Sequence, residues 1–105
     1  LIYKRPQMLH LLKACRNGEV DCIAAQTKAY LAANSEEFCY LLKFLSDMPG
    51  LIELVTEDEK YHINTIMNPE QQKEALEKMA DDYVKLDETK YKKWKEKILQ
   101  GIQEL

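Results

Sequence analysis

The side chains that most often hold metal ions are sparse in this chain. Its cysteines and histidines are scattered along the sequence at His10, Cys15, Cys22, Cys39 and His62. No Cys-x-x-Cys or Cys-x-x-His pair occurs, and the interval from Cys15 to Cys22 is not a zinc-motif spacing. Cys15 and Cys39 fall on or beside apolar stripes, where a free cysteine behaves as a small hydrophobic residue. We therefore predict no metal site and no cofactor.

Catalytic arrangements are equally hard to find. The chain has three glycines and no glycine-rich loop that could cradle a phosphate. No nucleophile has a recognisable base partner, and two histidines alone do not indicate proton-transfer chemistry. The surface carboxylates are better explained by solvation and by their attraction to the positive N-terminal ends of helices than by catalysis. The sequence predicts a protein that is not an enzyme.

The strongest positive patch lies in the segment KLDETKYKKWKEK, near the end of the chain. Its basic residues are Lys85, Lys90, Lys92, Lys93, Lys95 and Lys97. On a helix these lysines would surround an apolar stripe, which their stems can cover while the ammonium groups stay in water. We favour a solvated face beside a packing seam and keep phosphate contact as the second interpretation. Gln100, Gln103 and Glu104 dilute the pattern and argue against binding to a membrane surface.

Size and composition indicate which class of protein carries these residues. The 105 residues are 46% hydrophobic and 31% charged, which is typical of a soluble globular protein. A net charge of −3 argues against a protein that coats nucleic acid indiscriminately, although it allows a local basic face. Three cysteines, with no leader and no membrane-length apolar run, predict a reducing intracellular compartment such as the cytoplasm.

Apolar residues at helical spacing predict three helices in the first half of the chain. The first starts near Pro6 and stops at Asn17-Gly18, and the second covers CIAAQTKAYLAAN. Ser35 is the expected N-cap of the third, which ends before Pro49-Gly50. The residues that we expect in the core are Leu11, Leu12, Leu31, Phe38, Leu41, Leu42, Leu45 and Leu51.

One stretch, LIELVTEDEKYHINTI, alternates like a sheet instead. It predicts antiparallel strands near Leu51–Thr56 and Glu59–Ile66. The tip contains no glycine and no Asn-Gly pair, so we expect a loop of four or five residues. A lone hairpin is barely stable in water, and this one must therefore pack against helices.

Two more helices follow the hairpin. The first starts at Asn68-Pro69, and Asp87 can cap the second after a break near Leu86. The second has an apolar stripe with intervals of three and four residues, formed by Tyr91, Trp94, Ile98, Ile102 and Leu105. This stripe must be buried, either on its own domain or against the same helix of a second copy. We favour the homodimer, with Gly101 allowing close approach, and we divide the chain into domains 1–66 and 67–105.

The order of these elements resembles a winged helix-turn-helix. YLAANSEEFCYLLKFLSD is similar to the second helix, turn and third helix of such domains, and MPGLIELV and EKYHINTI resemble the strands of the wing. LLKACRNGEVDCIAAQTKAYLAANSEEF looks most like the N-terminal domains of phage replisome-organiser and DnaD-type replication proteins. The resemblance implies an α+β, mostly helical fold of three helices and a β-hairpin wing, here followed by two C-terminal helices.

The same resemblance implies DNA binding in replication initiation or transcriptional regulation. The ligand would be duplex DNA, with single-stranded DNA as a further possibility. The residues nearest to the DNA would be Ser35, Glu36, Tyr40, Lys43, Lys60 and His62. The acidic pair Glu36-Glu37 and the tip TEDEK depart from the basic surfaces that DNA-reading members favour. The alternative is a winged-helix interaction module that docks a basic protein and does not bind DNA, or a helix face that is merely solvated.

Overall fold

The computed structural model describes residues 1–48, 51–57, 60–64, 70 and 87–105, without the side chains of residues 28, 51, 52 and 60–64. Helices outweigh strands in this part of the chain. Its elements are a 3₁₀ turn (Ile2–Lys4), α1 (Pro6–Arg16), β1 (Cys22–Ala24), α2 (Lys28–Leu31), α3 (Ser35–Ser46), β2 (Leu51–Val55), β3 (Lys60–Asn64) and α4 (Glu88–Gln103). The helix predicted from Asn68-Pro69 onward lies outside the described residues, apart from Glu70.

The predicted ends of α1 are confirmed. Pro6 occupies the first helical position, where its missing N–H costs nothing. Asn17 is the C-cap, and Gly18 follows with φ +73°, in the left-handed region that glycine adopts without a steric penalty. The start of α4 is confirmed as well, because the Asp87 carboxylate accepts hydrogen bonds from the backbone N–H groups of Thr89 and Lys90.

The N-cap of α3 is Asn34, and the prediction of Ser35 was wrong by one residue. Asn34 has an extended backbone, and its side-chain oxygen accepts a 2.9 Å hydrogen bond from the Glu37 backbone N–H. Either residue type can cap a helix. With Asn34 as the cap, Glu37 stands at the third helical position, from which its carboxylate reaches back to the Ala33 N–H at 2.9 Å.

The second predicted helix is mostly wrong. Its first residues form β1, which runs parallel to β2 with Ile23 opposite Leu54, and only Lys28–Leu31 is helical. Ile23 and Leu54 are both fully buried, so this pairing covers apolar surface that a solvent-facing helix would expose. Ile23 is β-branched and therefore suits a strand. Its pairing with β2 outweighs the helix preference of the alanines that follow it.

The hairpin prediction is confirmed for the described residues. β2 and β3 pair antiparallel, with Leu51 opposite Asn64 and Val55 opposite Lys60, which leaves residues 56–59 as a four-residue connection. β2 is the middle strand of the order β1-β2-β3, and β3 contacts α3. Because β1 joins the first hairpin strand in parallel, the sheet mixes both pairings. The described residues do not confirm a winged helix, and that interpretation stays a prediction.

One hydrophobic core joins α1, α3 and α4. Of the predicted core residues, six are buried and Leu11 is half-buried, while the Leu51 side chain is outside the described part. The buried six are Leu12, Leu31, Phe38, Leu41, Leu42 and Leu45.

The α4 stripe belongs to the same core. Tyr91, Trp94, Ile98 and Ile102 are all buried within the chain, and Leu105 is exposed. Gly101 lies so close to Leu9 of α1 that a Cβ atom there would stand 2.8 Å from Leu9 Cδ1. The prediction that this stripe forms a homodimer interface was therefore wrong, because the chain already covers four of its five side chains. Gly101 does allow close approach, but to α1 of the same chain.

Candidate nucleic-acid interface

One residue of the α3 side that the sequence assigned to a DNA groove packs against α4 instead. Tyr40 is only 6% exposed. Its ring centroid lies 5.7 Å from that of Trp94 and 5.9 Å from that of Tyr91. Trp94 also meets Phe44 edge-on at 6.0 Å. The prediction that Tyr40 contacts DNA was wrong, because the aromatic residues of α4 cover its ring.

Glu37 lies at the centre of this contact and is buried. Its Oε2 accepts hydrogen bonds from the backbone N–H of Ile2 and from Trp94 Nε1, both at 3.1 Å, and its Oε1 binds the Ala33 N–H. The carboxylate therefore ties the 3₁₀ turn, the α2–α3 corner and α4 together. A glutamate three residues after a capping asparagine is a sequence signal for the local bond. Nothing in the sequence pointed to the bond from Trp94, which is 57 residues away.

Two tyrosine hydroxyls lie at this contact, one bonded within α3 and one bonded from α4 to the end of α3. Tyr40 donates a hydrogen bond to Glu36, and Tyr91 donates one to Asp47 at 3.4 Å. Burial raises the pKa of both tyrosines well above the ordinary value, and the neighbouring carboxylates raise it further. Both hydroxyls therefore act as neutral donors at physiological pH.

The other residues predicted to contact DNA differ in exposure wherever their side chains are described. Ser35 is exposed, whereas Glu36 is half-buried and bound by Tyr40. Lys43 is half-buried, with its Nζ 3.5 Å from Asp47 Oδ1. Lys60 and His62 lie on β3, and their side chains are outside the described part. At the hairpin tip, Glu57 is exposed.

A different surface is strongly basic. The first 17 residues contain four cationic side chains and no carboxylate, and residues 87–105 contain five lysines and four carboxylates. Together they carry a formal charge of +5, which leaves −8 on the rest of a chain whose net charge is −3. We call the exposed cations of these two segments the basic surface: Lys4, Arg5, Lys13, Arg16, Lys90, Lys92, Lys93 and Lys97.

Packing brings the two basic segments side by side. α4 contacts both α1 and the 3₁₀ turn, and Lys97 Nζ lies 4.9 Å from the centroid of the Tyr3 ring. Lys90, Lys93 and Lys97 are three and four residues apart, so they lie on one side of α4. Lys97 of α4 thus meets the N-terminal segment at Tyr3, next to Lys4 in the sequence. The lysine cluster is visible in the sequence, but its link to residues 1–17 is not.

The possible metal ligands do not cluster in the described part of the chain, and its cysteines are free thiols. Residues 1–48, 51–57, 60–64, 70 and 87–105 contain no group of three or more metal-binding side chains. Cys15 and Cys39 are buried, Cys22 is exposed, and all three are free thiols. Burial raises the pKa of the Cys15 thiol, which makes it less reactive. Among the same residues no helix is both long and apolar enough to span a membrane.

Comparisons with known proteins leave the geometry as the only guide to function. No protein-family model, no curated protein and no solved structure matches this chain. The winged-helix and DnaD-type resemblance consequently rests on the sequence patterns alone.

Proposed function

We propose that this protein binds DNA through its phosphate backbone, using the basic surface of α1, α4 and the 3₁₀ turn. The observation that carries the proposal is the charge of +5 on two segments that pack together, in a chain that is otherwise acidic. A role in replication initiation or transcriptional regulation, and a winged-helix fold, follow from the resemblance and are part of the proposal.

The physical reason is counterion release. Lysine and arginine side chains that neutralise phosphates free the condensed counterions of DNA, and this supplies most non-specific affinity. The lysines of α4 keep their ammonium groups outside because Tyr91, Trp94 and Ile98 turn the apolar side of the helix inward. Recognition of a base sequence by α3 is not part of the proposal, since α4 covers Tyr40, which was the aromatic residue expected to enter the groove.

A second candidate is a protein-interaction module that does not bind DNA. The charge of −8 outside the two basic segments favours it, because an acidic surface attracts a basic partner. The burial of Tyr40 by α4 also favours the interaction module, because the helix that usually reads DNA would be partly covered. The two functions differ in their response to DNA and salt.

The test is a binding titration with duplex and single-stranded DNA at several salt concentrations. For the duplex, the logarithm of the association constant should fall against the logarithm of salt with a slope of about −0.9 for each phosphate neutralised. The double variant Lys90→Gln/Lys93→Gln should make this slope shallower by about two. Both side chains are exposed, so the variant should melt like the parent protein.

Lys43→Gln is the matched control, because it removes one lysine from α3 instead of α4. It should leave the salt slope unchanged. An equal effect of Lys43→Gln and of the α4 variant would contradict the assignment to the basic surface. Absence of binding at low salt would contradict DNA binding itself and favour the interaction module.

A further inference from the structure

We infer that the basic surface continues onto α2 as a stacking platform for one base of single-stranded nucleic acid, with Tyr30 as the ring and Arg5 as the adjacent cation. The inference rests on the proposed function and adds to it a preference for unpaired strands. It assigns a binding role to a tyrosine outside both the α3 face and the lysine cluster.

The first observation is the exposure of Tyr30, which is 60% accessible. Tyr40 and Tyr91 are each 6% exposed, and Tyr3 is half-buried beneath Lys97. Among the described residues the other exposed large apolar side chains are Leu1 and Leu105, which are the two ends of the chain. Among the residues whose side chains the structure describes, Tyr30 is thus the one internal aromatic ring that is open to a ligand.

The second observation is the position of Arg5. Its Nη1 lies 3.4 Å from the backbone carbonyl oxygen of Leu31, the residue that follows Tyr30. This contact uses one guanidinium N–H, and an arginine side chain has five such donors. Arg5 is exposed, so its remaining N–H groups can bind a phosphate beside the end of α2, one residue from Tyr30 in the sequence.

The third observation is that buried hydrogen bonds join the segment just after α2 to α4. The Glu37 carboxylate binds the Ile2 N–H of the 3₁₀ turn, the Ala33 N–H just after α2, and Trp94 of α4. Tyr3, next to Ile2, lies against Lys97. One buried carboxylate therefore joins the 3₁₀ turn, the segment just after α2 and α4, which are the elements that carry Tyr30, Arg5 and the lysines or lie next to them.

This combination suits a single strand better than a duplex. Every base has a π-face that can stack on an exposed aromatic ring, and a cationic groove can follow the backbone without reading the sequence. In a duplex the interior bases are stacked on each other and their faces are closed to the tyrosine. Tyr30 should consequently add affinity for single strands alone, whereas the lysines should act on both ligands.

The experiment uses a single-stranded oligothymidine of about 12 nucleotides and a duplex of the same length, with binding measured by fluorescence anisotropy. Tyr30→Leu keeps an apolar side chain of moderate size but removes the ring. It should weaken binding to the single strand about tenfold, leave the duplex affinity unchanged, and leave the salt slope unchanged. Tyr30→Phe keeps the ring and should bind both ligands like the parent protein.

Leu105→Ala serves as the control for loss of an exposed apolar side chain, and it should affect neither ligand. Equal affinity of Tyr30→Leu and the parent protein for the single strand would overturn the inference. A Tyr30→Leu variant that loses affinity for both ligands to the same degree would overturn it as well. If binding still depends on Lys90 and Lys93 in those cases, the proposed function stands. Failure of the parent protein to bind either ligand would overturn both.

Discussion

Helices α3 and α4 are both amphipathic in sequence, yet the fold treats them in opposite ways. Nine of the twelve residues of α3 are buried, including the polar Glu37 and Ser46. In α4 only four of sixteen are buried, and they are the apolar stripe. α3 is therefore the central helix of the core, whereas α4 is a surface helix with one side inside and its lysines outside.

The difference shows how a charged residue can be placed at the centre of a small protein. A buried carboxylate is costly unless its oxygens accept hydrogen bonds, and a buried indole needs an acceptor for its N–H. The indole N–H of Trp94 donates a hydrogen bond to the Glu37 carboxylate, so the donor and the acceptor are both paired. The backbone N–H groups of Ile2 and Ala33 donate to the same carboxylate. Glu37 thus belongs to the surface of α3 that binds α4, rather than to one left for solvent or DNA.

The largest expected effect comes from breaking the contact between the two helices. Trp94→Ala should lower the free energy of unfolding by about 3–5 kcal/mol, because it leaves a cavity beside Tyr40 and Phe44 and removes a donor from Glu37. Chemical denaturation measures this loss. Trp94→Phe should restore part of the stability, since it keeps an aromatic ring but lacks the N–H.

Lys93→Ala is the reference for that experiment, as its side chain is exposed on the same helix. Its stability should stay within about 0.5 kcal/mol of the parent protein. A Trp94→Ala variant that is equally stable but self-associates less would restore the view of α4 as a dimerisation helix, and would contradict the burial of its stripe.

An intermediate effect is expected at alkaline pH. The pKa of Tyr40 and that of Tyr91 are raised in the folded protein, while the unfolded chain releases these protons near pH 10. The folded state then holds more protons, so stability falls as pH rises above about 10, by up to about 1.4 kcal/mol per pH unit for each tyrosine. Denaturation midpoints at about pH 8 and about pH 11 measure the fall.

The double variant Tyr40→Phe/Tyr91→Phe removes both hydroxyls and so isolates their contribution to the alkaline loss of stability. It should lose less stability between the two pH values than the parent protein does. An identical loss in both proteins would show that the hydroxyls of Tyr40 and Tyr91 are not responsible for the fall in stability at alkaline pH.

The smallest effect is expected at Lys43, at the exposed margin of α3. Its ion pair with Asp47 is an i, i+4 pair on a partly exposed surface, and such pairs contribute about 0.3–0.5 kcal/mol. Lys43→Ala should therefore lower the thermal midpoint by no more than a few degrees. A loss of several kcal/mol would mean that the margin of α3 is as tightly packed as its centre.

Much of the local structure could be predicted from the sequence. Proline at the start and glycine after the end define α1, Asp87 defines the start of α4, and alternation defines the hairpin. These features depend on residues within a few positions of each other, which is why a linear pattern reveals them. The lysine cluster was visible for the same reason.

The tertiary structure alone decided which surfaces meet. Periodicity indicates that α4 has an apolar side, but a second copy and the chain's own core would satisfy that side equally well. Packing against Leu9, Tyr40 and Phe44 made the choice, and in doing so it buried Tyr40, which the sequence offered to DNA. β1 likewise became a strand because β2 lay beside it. Each outcome depends on contacts between residues far apart in sequence, where burial and hydrogen bonding outweigh local preference.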